Sequence, residues 1–181
     1  MSEDLIDVAQ PVLSIVTPSL NHGRFLRQTI ESVAAQTFRS IEHIVVDGGS
    51  SDGTVEILKE FPHVRWISER DEHVVEAYQK ALAMARGRYI IQCCVSDGFL
   101  DPNWFRKCIE VLEKDEEVSL VWGFGQAMSE EGELLNVSFQ DFFADPPPQK
   151  QDFLAFWLVG GFPLPEGNYC VRSEVIRAWF P

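Results

Sequence analysis

Short apolar runs rich in β-branched residues alternate along this chain with segments whose apolar residues recur at helical spacing. The predicted strands are 12–17, 41–46, 64–67, 88–95 and 118–122, and the predicted helices are 23–36, 54–59, 74–85 and 102–114. Gly87 is predicted to stop the third helix in the left-handed conformation. Strands that alternate with helices are typical of βαβ units, so the pattern predicts a mostly parallel sheet flanked by helices.

The regularity decays after Ser129. Glu130–Glu133 predicts a hairpin turn, and Asp145–Pro148 interrupts regular structure. We therefore divide the chain into a flexible segment 1–11, an α/β region 12–128, and a less regular region 129–181 that belongs to the same domain. The length of 181 residues and the hydrophobic content of 45% suit one sizeable core rather than two.

Charge and composition restrict the classes of partner. The formal net charge is -13 and no dense basic stretch occurs, so nucleic acid is not an expected partner. An acidic protein that binds an anionic nucleotide needs backbone N–H groups, placed cations or a divalent metal to offset repulsion. The cysteines do not have metal or disulfide spacing, which predicts buried thiols at Cys93, Cys94, Cys108 and Cys170.

The sequence carries no signal-peptide pattern over 1–10 and no apolar run of about 18 residues. We therefore expect a cytoplasmic protein without a transmembrane segment, for which peripheral membrane association stays open. The oligomeric state is not predicted by any pattern in the chain.

Polar residues follow three of the predicted strands, at the edge of a parallel sheet where ligands bind. These exits are Thr17–Asn21, Asp47–Gly53 and Ser96–Gly98. Asp47 is expected to accept hydrogen bonds from a base or ribose, with a turn-capping role as the alternative. For Asp52 the capping role is favoured. Asp97 could ligate a divalent cation that bridges two phosphates, or it could start a turn.

Four segments resemble the family 2 glycosyltransferases in order and spacing: SIVTPSLNHGRFLRQTIESVAAQTF, IEHIVVDGGSSDGTVEIL, WISERDEHVVEAYQKALAMARG and YIIQCCVSDGFLDP. The resemblance runs from Val12 to Trp122 and continues more weakly to Val175. It implies a GT-A (Rossmann-like) fold, with region 12–128 binding a nucleotide diphosphate sugar. Region 129–181 would then be the acceptor side, incomplete in this chain. The implied activity is inverting transfer from a UDP-sugar to a saccharide or lipid-linked acceptor.

The strand exits and the resemblance together define the expected site. Asp97 is similar to the metal-binding member of the family's DxD-like motif, which implies Mg²⁺ or Mn²⁺ beside the donor diphosphate. The sequence departs from the family pattern in Val95–Gly98, which has one carboxylate, and at His73, Glu76 and Gln79. The expected donor-site residues are Thr17, Pro18, Ser19, Asn21, Asp47, Gly49, Asp71, Lys80 and Ser96.

An inverting transferase needs a carboxylate that deprotonates the acceptor hydroxyl. The family often takes this base from a Glu-Asp pair beyond a segment similar to Gly167–Ile176, and this chain stops at Pro181. Glu166 is hypothesised to replace it from its loop position, with a surface role as the alternative. The aromatic side chains Phe153, Phe156, Trp157 and Phe162 could form the floor of an acceptor-sugar site or could pack in the core.

Three other readings compete with a complete transferase. The single carboxylate and the missing base are compatible with a non-catalytic nucleotide-sugar-binding or regulatory relative, or with a fragment of a longer enzyme. A dehydrogenase-like nucleotide-binding sheet is disfavoured because no G-x-G-x-x-G follows the first strand.

Overall fold

The computed structural model describes residues 10–129, 131–138 and 169–179. Its main feature is a six-stranded sheet. In chain order the strands of this sheet are β1 (Leu13–Ser19), β2 (Ile41–Asp47), β3 (Val64–Ser68), β4 (Tyr89–Gln92), β5 (Leu120–Trp122) and β8 (Tyr169–Arg172). A separate two-stranded sheet consists of β6 (Gln126–Met128) and β7 (Leu134–Ser138).

The strand order in the main sheet is β3-β2-β1-β4-β8-β5. Strands β3, β2, β1 and β4 are mutually parallel, as the alternating pattern predicted. The register aligns Ser19 with Asp47, and Asp47 with Ser68, so the ends of β1, β2 and β3 lie side by side. This alignment brings the predicted polar exits of β1 and β2 to one edge of the sheet, together with the end of β3.

Helices cover both faces of the sheet. They are α1 (Gly23–Ala34), α2 (Thr54–Lys59), α3 (Val74–Met84), α4 (Trp104–Lys114) and α5 (Ser173–Trp179). Leu13, Ile15 and Ile91 pack with α1 and α4 on one face, whereas Val16 and Ile90 pack with α3 and α5 on the other. Burial on both faces explains why β1, β2 and β4 have near-continuous apolar runs rather than strict alternation.

Strand β8 was not predicted from the sequence. It pairs antiparallel with β4 on one side and with β5 on the other, so the less regular region supplies a central strand of the main sheet. By contrast, the hairpin turn predicted near residues 130–133 is confirmed, because β6 and β7 pair antiparallel across it. The predicted Pro-rich break at 145–148 lies outside the described residues.

Gly87 does not adopt the left-handed conformation that we predicted for it. Helix α3 ends at Ala85 in an extended conformation, and the positive-φ glycines in the described residues are Gly49, Gly53 and Gly132. A Cβ on Gly87 would lie 2.6 Å from the backbone nitrogen of Ser14. Glycine is therefore required here by the close approach of the chain to β1, not by its own φ.

Candidate functional site

The loops after β1, β2 and β3 are hydrogen-bonded to one another. The Gly48 N–H donates to the Ser19 carbonyl at 2.8 Å, and the Glu69 N–H donates to the Asp47 carbonyl at 2.9 Å. Asn21, with φ of 53°, accepts the Ser51 N–H on its Oδ1 at 3.0 Å. The three exits therefore form one connected edge rather than three separate loops.

Asp47 lies at the centre of this edge and is fully buried. Its Oδ2 accepts the Ser50 N–H at 2.9 Å, the Gly49 N–H at 3.2 Å and the Ser68 hydroxyl at 2.7 Å. Its Oδ1 accepts a short hydrogen bond from the Ser50 hydroxyl. These four bonds match the accepting capacity of a carboxylate, so Asp47 organises the loop that follows it. Its direct contact with a base or ribose stays a prediction.

Asp71 lies across from this loop. A Cβ placed on Gly48 would be 3.3 Å from Asp71 Oδ2 and 3.4 Å from the Leu20 side chain, so glycine at this position lets the two loops approach closely. The side chain of Asp71 is 6% exposed, and Oδ2 is buried without a hydrogen-bond partner among the described residues. A buried carboxylate oxygen without a donor is costly, which makes it a candidate acceptor for a ligand.

Lys80 holds the other oxygen of Asp71. Its ammonium forms a short contact with Asp71 Oδ1 and lies 2.8 Å from Glu69 and 3.0 Å from Glu76. The hydrogen bonds that Lys80 donates to Asp71, then Glu69, then Glu76 raise the pKa of Lys80. Lys80 therefore remains charged and fixes the orientation of Asp71 through helix α3.

The end of β1 is more deeply buried than the sequence suggested. The Thr17 hydroxyl lies 3.0 Å from His43 Nε2, and burial lowers the pKa of His43 to about 3, with a smaller contribution from His63. His43 is therefore neutral, as a structural histidine would be. Pro18 is buried in the same strand, and the Ser19 hydroxyl is buried without a hydrogen-bond partner among the described residues.

Ser96 and Asp97 lie after β4 in an exposed turn. Ser96 has φ of 88°, a strained conformation for a residue other than glycine. Thr29 on α1 holds this turn, since its hydroxyl donates to the Asp97 carbonyl at 2.9 Å and accepts the Ser96 N–H at 3.2 Å. The backbone of Asp97 is thereby positioned by α1.

The residues at this turn fit a divalent cation only in part. Carboxylate oxygen is the ligand type that Mg²⁺ and Mn²⁺ prefer, and Asp97 supplies one such group at the strand exit. Among residues 10–129, 131–138 and 169–179, no group of three or more His, Cys, Asp or Glu side chains could hold a metal. The remaining ligands of a cation at Asp97 would have to come from phosphate and water.

Asp52 has the capping role favoured from the sequence, and it serves two helices. Its Oδ1 accepts the N–H and the hydroxyl of Thr54 at the start of α2, at 3.2 and 2.6 Å. Its Oδ2 accepts the Gly23 N–H at the start of α1, at 2.8 Å. These hydrogen bonds, the largest from Thr54, lower the pKa of Asp52. One carboxylate therefore ties the first turns of α1 and α2 together.

A cleft of about 840 Å³ opens on the other side of the Asp97 turn. It lies between α1, the 96–101 loop, the start of α4 and the β6–β7 hairpin, and we call it the hairpin cleft. Sequence reasoning missed it, although Phe99 and Phe124 are aromatic residues that follow predicted strands, and Trp104 lies at the start of a predicted helix. The lining of the cleft includes Gln28, Asp97, Asp101, Trp104, Lys107 and Phe124.

Several sequence-based predictions concern other parts of the chain. Glu166 and the aromatic residues 153–162 lie outside the described residues, as does the segment 1–9. All four cysteines are free, and Cys93, Cys108 and Cys170 are buried as predicted, whereas Cys94 is partly exposed. None of the helices in the described part of the chain has the length and apolarity that a bilayer crossing requires.

The fold and the connected strand exits define a class of enzyme, the glycosyltransferases with a GT-A fold. Residues 14–162 match the model of Glycosyl transferase family 2, and the chain belongs to that family. It is 32% identical over 180 residues to an uncharacterized glycosyltransferase of Mycobacterium tuberculosis, covering 93% of this chain and 69% of that protein. It is also 32% identical over 130 residues to chondroitin synthase of Escherichia coli, covering 70% of this chain but 19% of the synthase.

Solved structures share the fold at low sequence identity. A mannosyltransferase of Pyrobaculum calidifontis, solved with GDP-Man and Mn²⁺, has a TM-score of 0.64 at 15% identity over 94% of this chain. Glucosyl-3-phosphoglycerate synthase of Mycobacterium tuberculosis, solved with UDP, has a TM-score of 0.62 at 20% identity over 92% of this chain. This chain spans 47% and 58% of those two proteins.

Proposed function

We propose that this chain binds a nucleotide diphosphate sugar, with uridine as the nucleoside, at the joined exits of β1, β2 and β3. The sugar is transferred with inversion to a saccharide or lipid-linked acceptor. The observation that carries the proposal is the buried oxygen of Asp71, which has no donor among the described residues and lies beside Gly48 and Leu20. A ligand N–H or O–H that reaches this oxygen supplies the missing hydrogen bond.

In this proposal the predicted donor-site residues have different roles. Asp47 holds the Gly49–Ser50 turn in shape by its four internal hydrogen bonds, while Asp71 Oδ2 accepts from the base or ribose. Lys80 keeps Asp71 oriented through their ion pair. Leu20 lies beside Gly48 and is 51% exposed, so its side chain is the group that an entering nucleotide displaces.

Asp97 is the residue that would hold Mg²⁺ or Mn²⁺ at the donor diphosphate. A divalent cation there stabilises the negative charge that develops on the leaving diphosphate. Neighbours of the same fold solved with Mn²⁺ and with UDP support a metal-assisted nucleotide site. Because Asp97 offers one carboxylate, we expect metal and nucleotide to bind together rather than the metal alone.

Transfer with inversion requires a base that removes the proton of the acceptor hydroxyl as that oxygen attacks the anomeric carbon. Glu166 is our candidate for this base from its position in the sequence. Glu166→Gln keeps the size of the side chain and removes its proton affinity. If Glu166 is the base, this variant binds UDP normally and loses transfer from UDP-glucose or UDP-N-acetylglucosamine to water or to added saccharides.

The test is calorimetric titration of the intact chain with UDP, with and without Mn²⁺, and the same titrations on Asp97→Ala. The matched control is Glu116→Ala, which removes an exposed carboxylate after α4, away from the strand exits. We expect Mn²⁺ to strengthen UDP binding in the native chain and in the control, and to have no effect in Asp97→Ala. If no nucleotide binds under either condition, the transferase proposal fails.

A second candidate follows from the single carboxylate at the β4 exit. One form of this candidate is a relative that binds nucleotide sugars without turnover, and the other is a piece of a longer enzyme that supplies the base elsewhere. Either form would retain the Asp71 site and lack three clustered metal ligands among the described residues. UDP binding without any release of UDP from UDP-sugars, across a range of added saccharides, favours this candidate. Mass spectrometry of the natural gene product separates the non-catalytic relative from the fragment.

A further inference from the structure

We infer that Thr29 on α1 is a positioning residue for the metal-assisted part of nucleotide binding. Its buried hydroxyl holds the turn that contains Ser96 and Asp97 in a conformation that these two residues do not favour by themselves. The inference rests on the proposed function, because it takes Asp97 as the residue that holds the divalent cation. It adds a residue that lies outside the strand exits and that the sequence did not single out.

The turn after β4 has an unusual backbone conformation. The Asp97 N–H donates to the Cys94 carbonyl at 3.0 Å, which closes a four-residue β-turn from Cys94 to Asp97. Ser96 is the third residue of this turn and has φ of 88°. A type II turn favours glycine at that position, because other side chains are strained at positive φ. With serine there, the turn requires contacts from elsewhere in the fold to keep its shape.

Helix α1 provides these contacts. Val95, the second residue of the turn, is 6% exposed and belongs to the same core cluster as Leu26 of α1. The Thr29 hydroxyl donates to the Asp97 carbonyl at 2.9 Å and accepts the Ser96 N–H at 3.2 Å. One side chain therefore bonds the backbone of the strained residue and that of the proposed metal ligand.

The burial of Thr29 supports a role in holding the loop after β4. Thr29 is fully buried, and a buried hydroxyl is costly unless it forms hydrogen bonds. A second fully buried polar side chain, that of Gln36 just beyond α1, bonds the same loop at the Asp101 carbonyl (2.8 Å) and the Phe105 N–H (3.1 Å). Gln36 therefore fixes the end of the loop next to α4, whereas Thr29 fixes the end that carries Asp97.

The position of Asp97 matters because this exit has no second carboxylate. Residues 95–98 contain one acidic side chain, so a cation there depends on the placement of one residue. Groups that orient a metal ligand contribute to metal affinity without touching the metal. The hydrogen bonds that join the exits of β1, β2 and β3 do not involve Thr29 among the described residues. Loss of the hydroxyl should therefore reduce the Mn²⁺-dependent share of UDP affinity and spare the rest.

The experiment measures the Mn²⁺ enhancement, which is the UDP dissociation constant without Mn²⁺ divided by the constant with Mn²⁺, by calorimetry on the intact chain. Thr29→Val keeps the branched shape of the side chain and removes the hydroxyl. Thr29→Ala serves the same purpose if Thr29→Val does not fold. Thr29→Ser keeps the hydroxyl and removes the methyl group. The matched control is Ser14→Ala, which removes an equally buried hydroxyl at the opposite end of β1.

We expect Thr29→Val to reduce the Mn²⁺ enhancement roughly tenfold, or to abolish a smaller one, while UDP affinity without Mn²⁺ stays within about twofold. Thr29→Ser and Ser14→Ala should keep the native enhancement, even where urea unfolding shows lower stability. Adding Ser96→Gly to Thr29→Val should restore most of the enhancement, since glycine adopts φ of 88° without strain.

Three results overturn the inference: an unchanged enhancement in Thr29→Val, an equal loss in Thr29→Ser or in Ser14→Ala, or no recovery when Ser96→Gly is added. The absence of UDP binding, or of any Mn²⁺ enhancement, in the native chain overturns the proposed nucleotide and metal site instead. The two failures are therefore distinguishable.

Discussion

Replacing Asp71 by Asn tests whether the unpartnered oxygen is a ligand site. Asn keeps the shape of the side chain, but one of its two polar atoms becomes an NH₂ donor. The amide oxygen is expected to face the ammonium of Lys80, because an NH₂ group there would oppose a cation. The NH₂ group then occupies the position of Oδ2, where it cannot accept a hydrogen bond from a nucleotide.

The expected loss of UDP affinity follows from the burial of Asp71, whose side chain is 6% exposed. A hydrogen bond to a charged acceptor contributes about 1.5–3 kcal/mol, which is a loss of roughly 10- to 150-fold in UDP affinity. Unfolding free energy should change by no more than about 1 kcal/mol. The variant loses one ion pair but no longer buries an unpaired carboxylate oxygen, and Lys80 keeps Glu69 and Glu76 as partners.

Calorimetry with UDP and urea unfolding of the same samples measure the two quantities. Glu69→Gln is the matched control, because it also removes one carboxylate from Lys80 but at a position that is 55% exposed. We expect the control to bind UDP as the native chain does. Unchanged UDP affinity in Asp71→Asn, or an equal loss in Glu69→Gln, would refute the reasoning.

Substitutions at three further positions test the contacts that hold the sheet and its helices together. Burial raises the pKa of Glu42, but hydrogen bonds from Ser14, Arg86 and Arg65 outweigh it and hold the pKa below 4.5. Glu42→Gln should therefore lower the unfolding free energy by about 2–3 kcal/mol near pH 7, and this difference should shrink as pH falls below about 4. A difference that is constant from pH 7 to 3 contradicts this. Gly87→Ala should cost about 2–3 kcal/mol in urea unfolding, because its Cβ meets the β1 backbone, and an unchanged midpoint contradicts the close approach. Asp52→Ala should cost about 1–2 kcal/mol by removing bonds at two helix starts, whereas Asp52→Asn should lose less because its amide oxygen still accepts.

The sequence by itself determined the parallel core of this protein. The strands β1 to β4 and the helices between them follow from local apolar periodicity and from turn residues such as the Asp47–Gly53 loop, and each could be predicted within a few residues. Local signals suffice because each strand is buried on both faces and each helix on one, so the pattern is continuous within short segments. The strand-exit residues could be found for the same reason, since parallel strands present their carboxyl ends at one edge.

Tertiary structure decided what those residues can do. The insertion of β8 between β4 and β5 joins residues about 80 positions apart in β4 and about 50 positions apart in β5, and no local period reports such pairings. Asp47 and Asp71 look alike as acidic residues after strands. Folding gives Asp47 four internal donors and leaves one oxygen of Asp71 without any among the described residues. Burial and hydrogen-bond partners are properties of the packed chain, which is why the sequence identified the candidates but could not rank them.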